Sequence, residues 1–550
     1  MTRRLSLAFA ILLLVACNRA PSADLVIFGR VWTGDPVKPW AGAVAIRGDT
    51  IIAVGDSAEL APFVGKGTRR LDNGSGLVAP GFMDGHVHLV EGGYSLGQLE
   101  LRDAGSPAEF IARIKAYAEH LQPGEWITDG NWDHERWPGA PLPRRDWIDS
   151  VTPNNPVFIS RLDGHMWLAN SAALRLGNVT RKTPDIAGGV IVRDAGGEPT
   201  GILKDNAHNP IQAVLPVSSP ARDDAALARA MDYAVSHGVT AVSAVSSFWG
   251  EYAALRRART AGTLKIRVAM YDSLEDWRGV LDTLKADGAG DDWLRLAGVK
   301  GYVDGSLGST TALFYEPYND APRTRGLMRF PEDSLRAWIG AADSAGLQVA
   351  MHAIGERANG LLLDIYDSLA QAHGPRDRRF RIEHAQHLRR GDIDRIAASG
   401  VIASMQPLHL VDDGDWAEKR IGPERIKTTY AFRSLIDRGA HLGFGSDWSV
   451  APMEPLLGIY AAVTRQTRNG MNPEGWVPEQ KITVEEALRS YTYENAYAVF
   501  AEQHRGMLKP GYLADVVLID QDLTRIAPAE IQHATIRATV VGGRVVYERK

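Results

Sequence analysis

A single cysteine occurs in 550 residues, which excludes any internal disulfide and any thiolate cluster for zinc or iron–sulfur. A metal, if held, must therefore sit on histidine, carboxylate or a modified side chain. Basic excess is also missing: 61 Lys+Arg face 66 Asp+Glu, a balance of −5 that excludes nucleic acid as a partner. No apolar run is long enough to span a bilayer; the N-terminal stretch Leu5 to Val15 is far short of the roughly 20 residues a spanning helix needs. What is present is ordinary globular composition, 45% hydrophobic and 23% charged, in a chain able to bury a large core.

The lone cysteine has a location that accounts for it. Arg3 and Arg4 form a basic start, Leu5 to Val15 the apolar segment of a signal peptide, and Leu14-Val15-Ala16-Cys17 closes it. This ending resembles the bacterial lipobox, which implies cleavage after residue 16 and lipidation of Cys17, with 17–23 as a tether. The expectation is an exported lipoprotein of the cell envelope, held at a membrane by its acyl chains rather than by a spanning helix. Asn18 stands where an inner-membrane retention signal would carry Asp, which points to the outer membrane in a Gram-negative host.

Residues 24–79 and about 505–550 share a texture of short strands and Gly turns, so the two ends are expected to form one small β-domain with the middle of the chain inserted into it. The middle alternates strands with helices, the pattern of a parallel α/β domain. Its clearest strands are Val157–Ser160, Val239–Val242, Ile266–Ala269, Leu347–Ala350 and Val401–Ser404; Ala225–Ser236 and Ser334–Ala345 have helical periodicity. Residues 92–205, rich in Trp, Pro and Gly, break the rhythm and read as an insertion near one face, either a packed subdomain or a lid.

Chemistry gathers at the ends of apolar runs. Pro80-Gly81-Phe82-Met83-Asp84-Gly85-His86-Val87-His88 places two imidazoles on one side of an extended strand. Four further runs end in polar groups: Val299-Lys300 with Gly301 to Ser309 behind it, Val349-Ala350-Met351-His352, Phe380-Arg381-Ile382-Glu383-His384, and Leu442-Gly443-Phe444-Gly445-Ser446-Asp447-Trp448. Such strand ends are where a (β/α)₈ barrel keeps its site.

Together with Leu508-Lys509-Pro510-Gly511-Tyr512-Leu513-Ala514-Asp515 and the insertion's Asp163-Gly164-His165, these motifs resemble the amidohydrolase superfamily, in its YtcJ-like branch that includes N-substituted formamide deformylases. The resemblance covers nearly all of the chain after residue 23. It implies an α/β fold, a distorted TIM barrel over 80–504 beside a β-sandwich made by both chain ends. It also implies that His86 and His88 bind one metal, that His352 and His384 bind a second, that Lys300 bridges them as a carbamate formed with CO₂, and that Asp447 completes the first site. The donors suit Zn²⁺, with Fe, Mn or Co compatible. An unmodified Lys300 would instead pair with Asp304 or a substrate group. A divalent ion lowers the pKa of water from about 15.7 towards about 7, which makes hydroxide available at neutral pH. Asp447 is placed to shuttle its proton.

The expected activity is hydrolysis of a non-peptide C–N bond in an amide, N-substituted formamide or cyclic amide. Deamination and ester or lactone hydrolysis are the alternatives on the same site, and a binding lipoprotein with an inactive barrel is the alternative of another class. The last should lack ligands, yet all six positions are filled. Trp132, His165, Asp304, His409 and Trp448 are weaker candidates for the wall of a small-molecule pocket. His134, His208, His237, His373 and His504 read as surface or core histidines, and the oligomeric state is left open.

Overall fold

The computed structural model describes residues 22–246 and 248–549. The signal segment 1–16 and Cys17 lie outside them. Ala23, expected in the tether, is buried and its N–H donates to the Phe63 carbonyl, so the packed structure begins inside the expected tether. Among the described residues no helix is long and apolar enough to cross a membrane.

Eight parallel strands form the central sheet: β1 (Phe82–Val87), β2 (Val239–Val245), β3 (Arg267–Ser273), β4 (Leu294–Tyr302), β5 (Gln348–Ala353), β6 (Arg381–His384), β7 (Ile402–Met405) and β8 (Leu442–Phe444). Helices cover the outside and side chains fill the inside, so strands such as β2 are buried at every position. The helix Pro220–Ser236 shows the local logic. Ser219 caps its N-terminus through the Arg222 N–H, and Ala226, Leu227, Ala230, Met231 and Ala234 form the stripe it buries. Gly238, at a φ of 80°, then turns the chain into β2.

The barrel is nearly closed, and the last contact is made by the chain beyond β8. The Asp447 N–H donates to the His86 carbonyl at 2.7 Å and the His88 N–H to the Trp448 carbonyl at 2.6 Å. Gly445 permits this approach, since a Cβ there would lie 2.6 Å from the His86 nitrogen. The backbone that closes the barrel therefore also fixes Asp447 against His86 and His88.

Both chain ends join one seven-stranded sheet, in the order Arg544–Glu548, Ile536–Val541, Val516–Ile519, Arg69–Pro80, Leu25–Trp32, Trp40–Arg47, Thr50–Gly55. In hydrogen bonding it is one continuous sheet rather than two. It curls so that Leu25, Val44 and Ile51 from one side share a core with Val516, Ala538 and Val540 from the other, which gives it the layered packing of a sandwich.

The insertion is more ordered than its sequence suggests. It contains a five-stranded sheet in the order Ile127–Thr128, Val157–Ser160, Met166–Ala169, Pro199–Asp205, Gly189–Arg193, over a core that includes Phe110, Trp132 and Trp137. Part of its contact with the barrel is polar. Asp163 accepts hydrogen bonds from Ser306 (2.5 Å) and Ser309 (2.9 Å) in the loop after β4, and pairs with the buried Arg161 at 2.6 Å.

Candidate metal centre

The strand ends bring His86, His88, Lys300, His352, His384 and Asp447 to one wall of a single cavity. Asp447 Oδ1 lies 3.3 Å from His86 Nε2 and 3.3 Å from His88 Nε2. Two donors bound to one tetrahedral ion at about 2.0–2.1 Å would themselves be roughly 3.3 Å apart, so this spacing fits a shared ion better than a hydrogen bond. His86 Nε2 is buried without a hydrogen-bond partner, and so is Lys300 Nζ.

The outer nitrogens of three histidines are tied down, which decides what faces inward. His86 Nδ1 lies 2.5 Å from Glu383 Oε2, leaving Nε2 towards Asp447. His384 Nδ1 donates to Gln406 Oε1 at 2.8 Å, and His352 Nε2 donates to the Gly305 carbonyl at 3.1 Å. These partners assign the tautomers, leaving His384 Nε2 and His352 Nδ1 as free lone pairs. Glu383 is in turn held by Arg381 at 2.7 Å, and Arg381 donates to the Gly85 carbonyl.

The electrostatics suit a cation. Burial, reinforced by neighbouring positive groups, holds the His352 and His384 imidazoles well below the usual histidine range, so both are neutral, the form in which imidazole ligates. Burial alone would raise the Asp447 carboxyl, but His86 and His88 hold it far below the usual carboxylate range. Burial opposes charge on His88 too, yet its contact with Asp447 outweighs this and pushes it up to about 9. In total the site offers neutral imidazoles at His352 and His384, an ionised carboxylate and an orphaned amine, while His88 holds a proton against Asp447 that a bound cation would displace; this set fits a divalent metal.

Two chelating triads can be drawn among the described residues, His86–His88–Asp447 and His384–His409–Asp447, with ligand atoms within 4.8 Å of one another. His409, expected only in the pocket wall, thus lies within metal-binding range; its Nε2 is buried and unpartnered. His352 falls outside both triads but its ring centroid is 4.5 Å from that of His384.

Other expectations need correction. Trp132 is fully buried, its indole N–H given to the Ile159 carbonyl, and Trp448 is buried against Tyr233 with ring centroids 5.1 Å apart. Asp304 is also fully buried; its carboxylate accepts the N–H groups of Leu313, Ile354 and Gly355. None of the three lines the cavity, and the ion pair between Lys300 and Asp304 does not form. His165 does line it, held by Asp205 at 2.6 Å, and so does His208, which reads as structural from sequence.

The cavity measures about 1420 Å³, beyond the range of about 300–1,000 Å³ usual for small-molecule sites. Strand ends make its floor and the insertion makes a wall with Trp126, Phe158 and Trp167. The orienting roles of Glu383 and Gln406 are not among the sequence expectations; Glu383 stands in the run that ends in His384, and Gln406 follows directly on β7. The available signal was the polar residue within each buried strand or just past its end.

A buried cluster of imidazoles and a carboxylate at the strand ends of an eight-stranded barrel defines a metal-dependent hydrolase scaffold. The chain belongs to the amidohydrolase family, whose profile matches residues 72–547. It is 40% identical to Protein LONG AFTER FAR-RED 3 of Arabidopsis thaliana, over 96% of this chain and 92% of the relative. It is 31% identical to the putative amidohydrolase YtcJ of Bacillus subtilis (88% and 91%), and 27% identical to the N-substituted formamide deformylase of Arthrobacter pascens (96% and 98%). Among solved structures it resembles an uncharacterized metal-dependent hydrolase from Pyrococcus horikoshii, with a TM-score of 0.73, 30% identity and coverage of 92% and 99%. The family and this neighbour support a metal-dependent hydrolase.

Proposed function

We propose that the protein hydrolyses a non-peptide C–N bond in an amide, N-substituted formamide or cyclic amide. The observation that carries this reading is Asp447 Oδ1 set 3.3 Å from two imidazole nitrogens, beside the unpartnered Lys300 amine, on the floor of a cavity that admits a small molecule. Similarity to a formamide deformylase along nearly the whole chain supports the choice of bond.

His86, His88, His352, His384 and Asp447 would hold one or two divalent ions, most simply Zn²⁺, with Lys300 carbamylated as the bridge. His409 is a further candidate ligand. The ions would supply a nucleophile at neutral pH and polarise the substrate carbonyl. Asp447 takes the proton of the attacking water and passes it to the departing nitrogen; the new C–O bond forms, the C–N bond breaks, and a carboxylic acid and an amine leave. Ser446 is given no covalent part, because it does not line the cavity and its Oγ supports the turn by accepting the Trp448 N–H at 3.1 Å. A screen of N-formyl and N-acyl amines, read by amine release, should find substrates that the Asp447→Asn protein no longer turns over. Release of amine by the variant at the wild-type rate would contradict the assignment.

The lipid anchor is also proposed, on the sequence around Cys17. The full-length protein should partition with membranes, while Cys17→Ser should move to the soluble fraction, since acylation on more than one site holds far better than a single chain. A variant that stays with the membrane as wild type does would remove the anchor from the account.

A further inference from the structure

The cavity holds a second concentration of charge, on the side of the site next to His88. Glu91 lies in the first turn of the helix Leu89–Ser95, immediately after His88. Glu251 lies in the first turn of the helix Trp249–Ala261, and Asp129 follows the insertion strand Ile127–Thr128. All three line the cavity. Glu251 is only 3% exposed, and its Oε1 has no hydrogen-bond partner. The Ser246 side chain and the Val90 backbone hold the carboxyl in place, and the oxygen left without a partner on a cavity-lining residue is costly, a cost relieved when a ligand supplies a donor.

The carboxylates act on one another. Burial pushes the Asp129 carboxyl up to about 7, and the charges that add to this are Glu91 and Glu100. Burial pushes Glu251 up to about 8 and Glu91 adds to the effect, while His88 and the hydrogen bonds from the Ser246 side chain and the Val90 backbone pull the other way. The two arginines on the same stretch of wall are engaged elsewhere: Arg229 donates to the Gly93 carbonyl, and the Arg222 guanidinium lies over Tyr94. The three carboxylates are not among the chelating groups of the described residues, so a metal ion is not the natural occupant. Aromatic surface is at hand, since Phe248, 43% exposed, caps the helix of Glu251 and also lines the cavity.

We propose that Glu91, Asp129 and Glu251 form a cation subsite that selects substrates carrying an ammonium or guanidinium group remote from the bond cleaved, such as N-acyl or N-formyl derivatives of diamines and basic amino acids. This rests on the hydrolase reading for the word substrate, but the subsite is testable by binding alone.

The test is calorimetric titration of the metal-loaded protein with pentylamine and with pentanol, of matched length, at a mildly alkaline pH where the amine is still charged and the carboxylates ionise. Pentylamine should bind at least about tenfold more tightly. Salt should narrow the gap, and Glu251→Gln should reduce it to about threefold or less. Asp129→Asn provides the same readout if the first variant melts early. Equal affinities in the wild type, or an undiminished gap in both variants, would overturn the subsite. A gap with these dependencies in a protein that cleaves no amide would leave the subsite standing and remove the hydrolase reading. Amide cleavage without any preference for the amine would do the reverse.

Discussion

Lys300→Ala should cost the protein most of its bound metal and lower turnover by roughly a thousandfold or more, because a divalent ion contributes several kcal/mol to such a reaction and each 1.36 kcal/mol is about tenfold. The reason is local. Lys300 is 3% exposed, its Nζ has no hydrogen-bond partner, and it lies over the Tyr302 ring, 4.3 Å from the centroid. An ammonium left this way is expensive and repels cations, whereas a carbamate made from the amine and CO₂ is a carboxylate with two oxygens to share. Formate or acetate added to Lys300→Ala should therefore restore part of both metal and turnover by occupying the vacated space. Lys300→Arg should fail as fully as Ala, since guanidinium stays cationic. An Arg variant with normal metal and activity, measured by elemental analysis beside amine release, would rule out the bridge.

Glu383→Gln should have the second largest effect, on stability as well as on the site. The Arg381–Glu383 pair is buried at 2.7 Å, and burial alone would raise the Glu383 carboxyl, yet Arg381 and His86 hold it far below the usual range. Removing one charge strands the other, at about 3–5 kcal/mol for a buried pair. It also frees His86 to turn, so metal affinity should fall by about 10–100-fold. Thermal melting and metal titration of the same preparation separate the two losses. The sign of the pH dependence follows: a carboxyl depressed in the folded state stabilises fully above the ordinary glutamate value of about 4.3, and this contribution declines as the pH falls towards the folded value. Wild type should lose stability on acidification over that window, and Glu383→Gln should lose less.

The barrel was legible in sequence because parallel strands covered on both faces are short apolar runs, and a polar residue at the end of such a run has few reasons to be there. Val239–Val242 and Leu347–Ala350 needed no more than that; the structure extends the one to Val245 and shifts the other to Gln348–Ala353. The gathering of His86, His88, Lys300, His352, His384 and Asp447 in one cavity wall follows from strand ends meeting at one face of a barrel. The insertion was legible only in part. Val157–Ser160 is a strand as its apolar run predicts, but it belongs to the insertion's own sheet and not to the barrel; the other strands are very short or set Trp, Arg, Lys and Asp among apolar residues, so neither a clean alternation nor an apolar run marks them. Aromatic residues near a site also mislead, because Trp132 and Trp448 are core side chains whose burial depends on long-range packing. Glu383 and Gln406 were hidden for a related reason: a residue that orients a ligand is recognised by which ring nitrogen it meets, and that needs three dimensions. His409 sits past the end of β7, where spacing alone cannot say whether a side chain reaches the centre or only the wall.

The most direct test of the account is to measure metal and hydrolysis together on one preparation, before and after chelation. The account predicts about one to two divalent ions per chain, turnover that falls with the ions and returns with Zn²⁺, and loss of both in His86→Ala and His88→Ala without loss of the fold. Hydrolysis at full rate in protein stripped of metal, or full metal occupancy in both histidine variants, would contradict it.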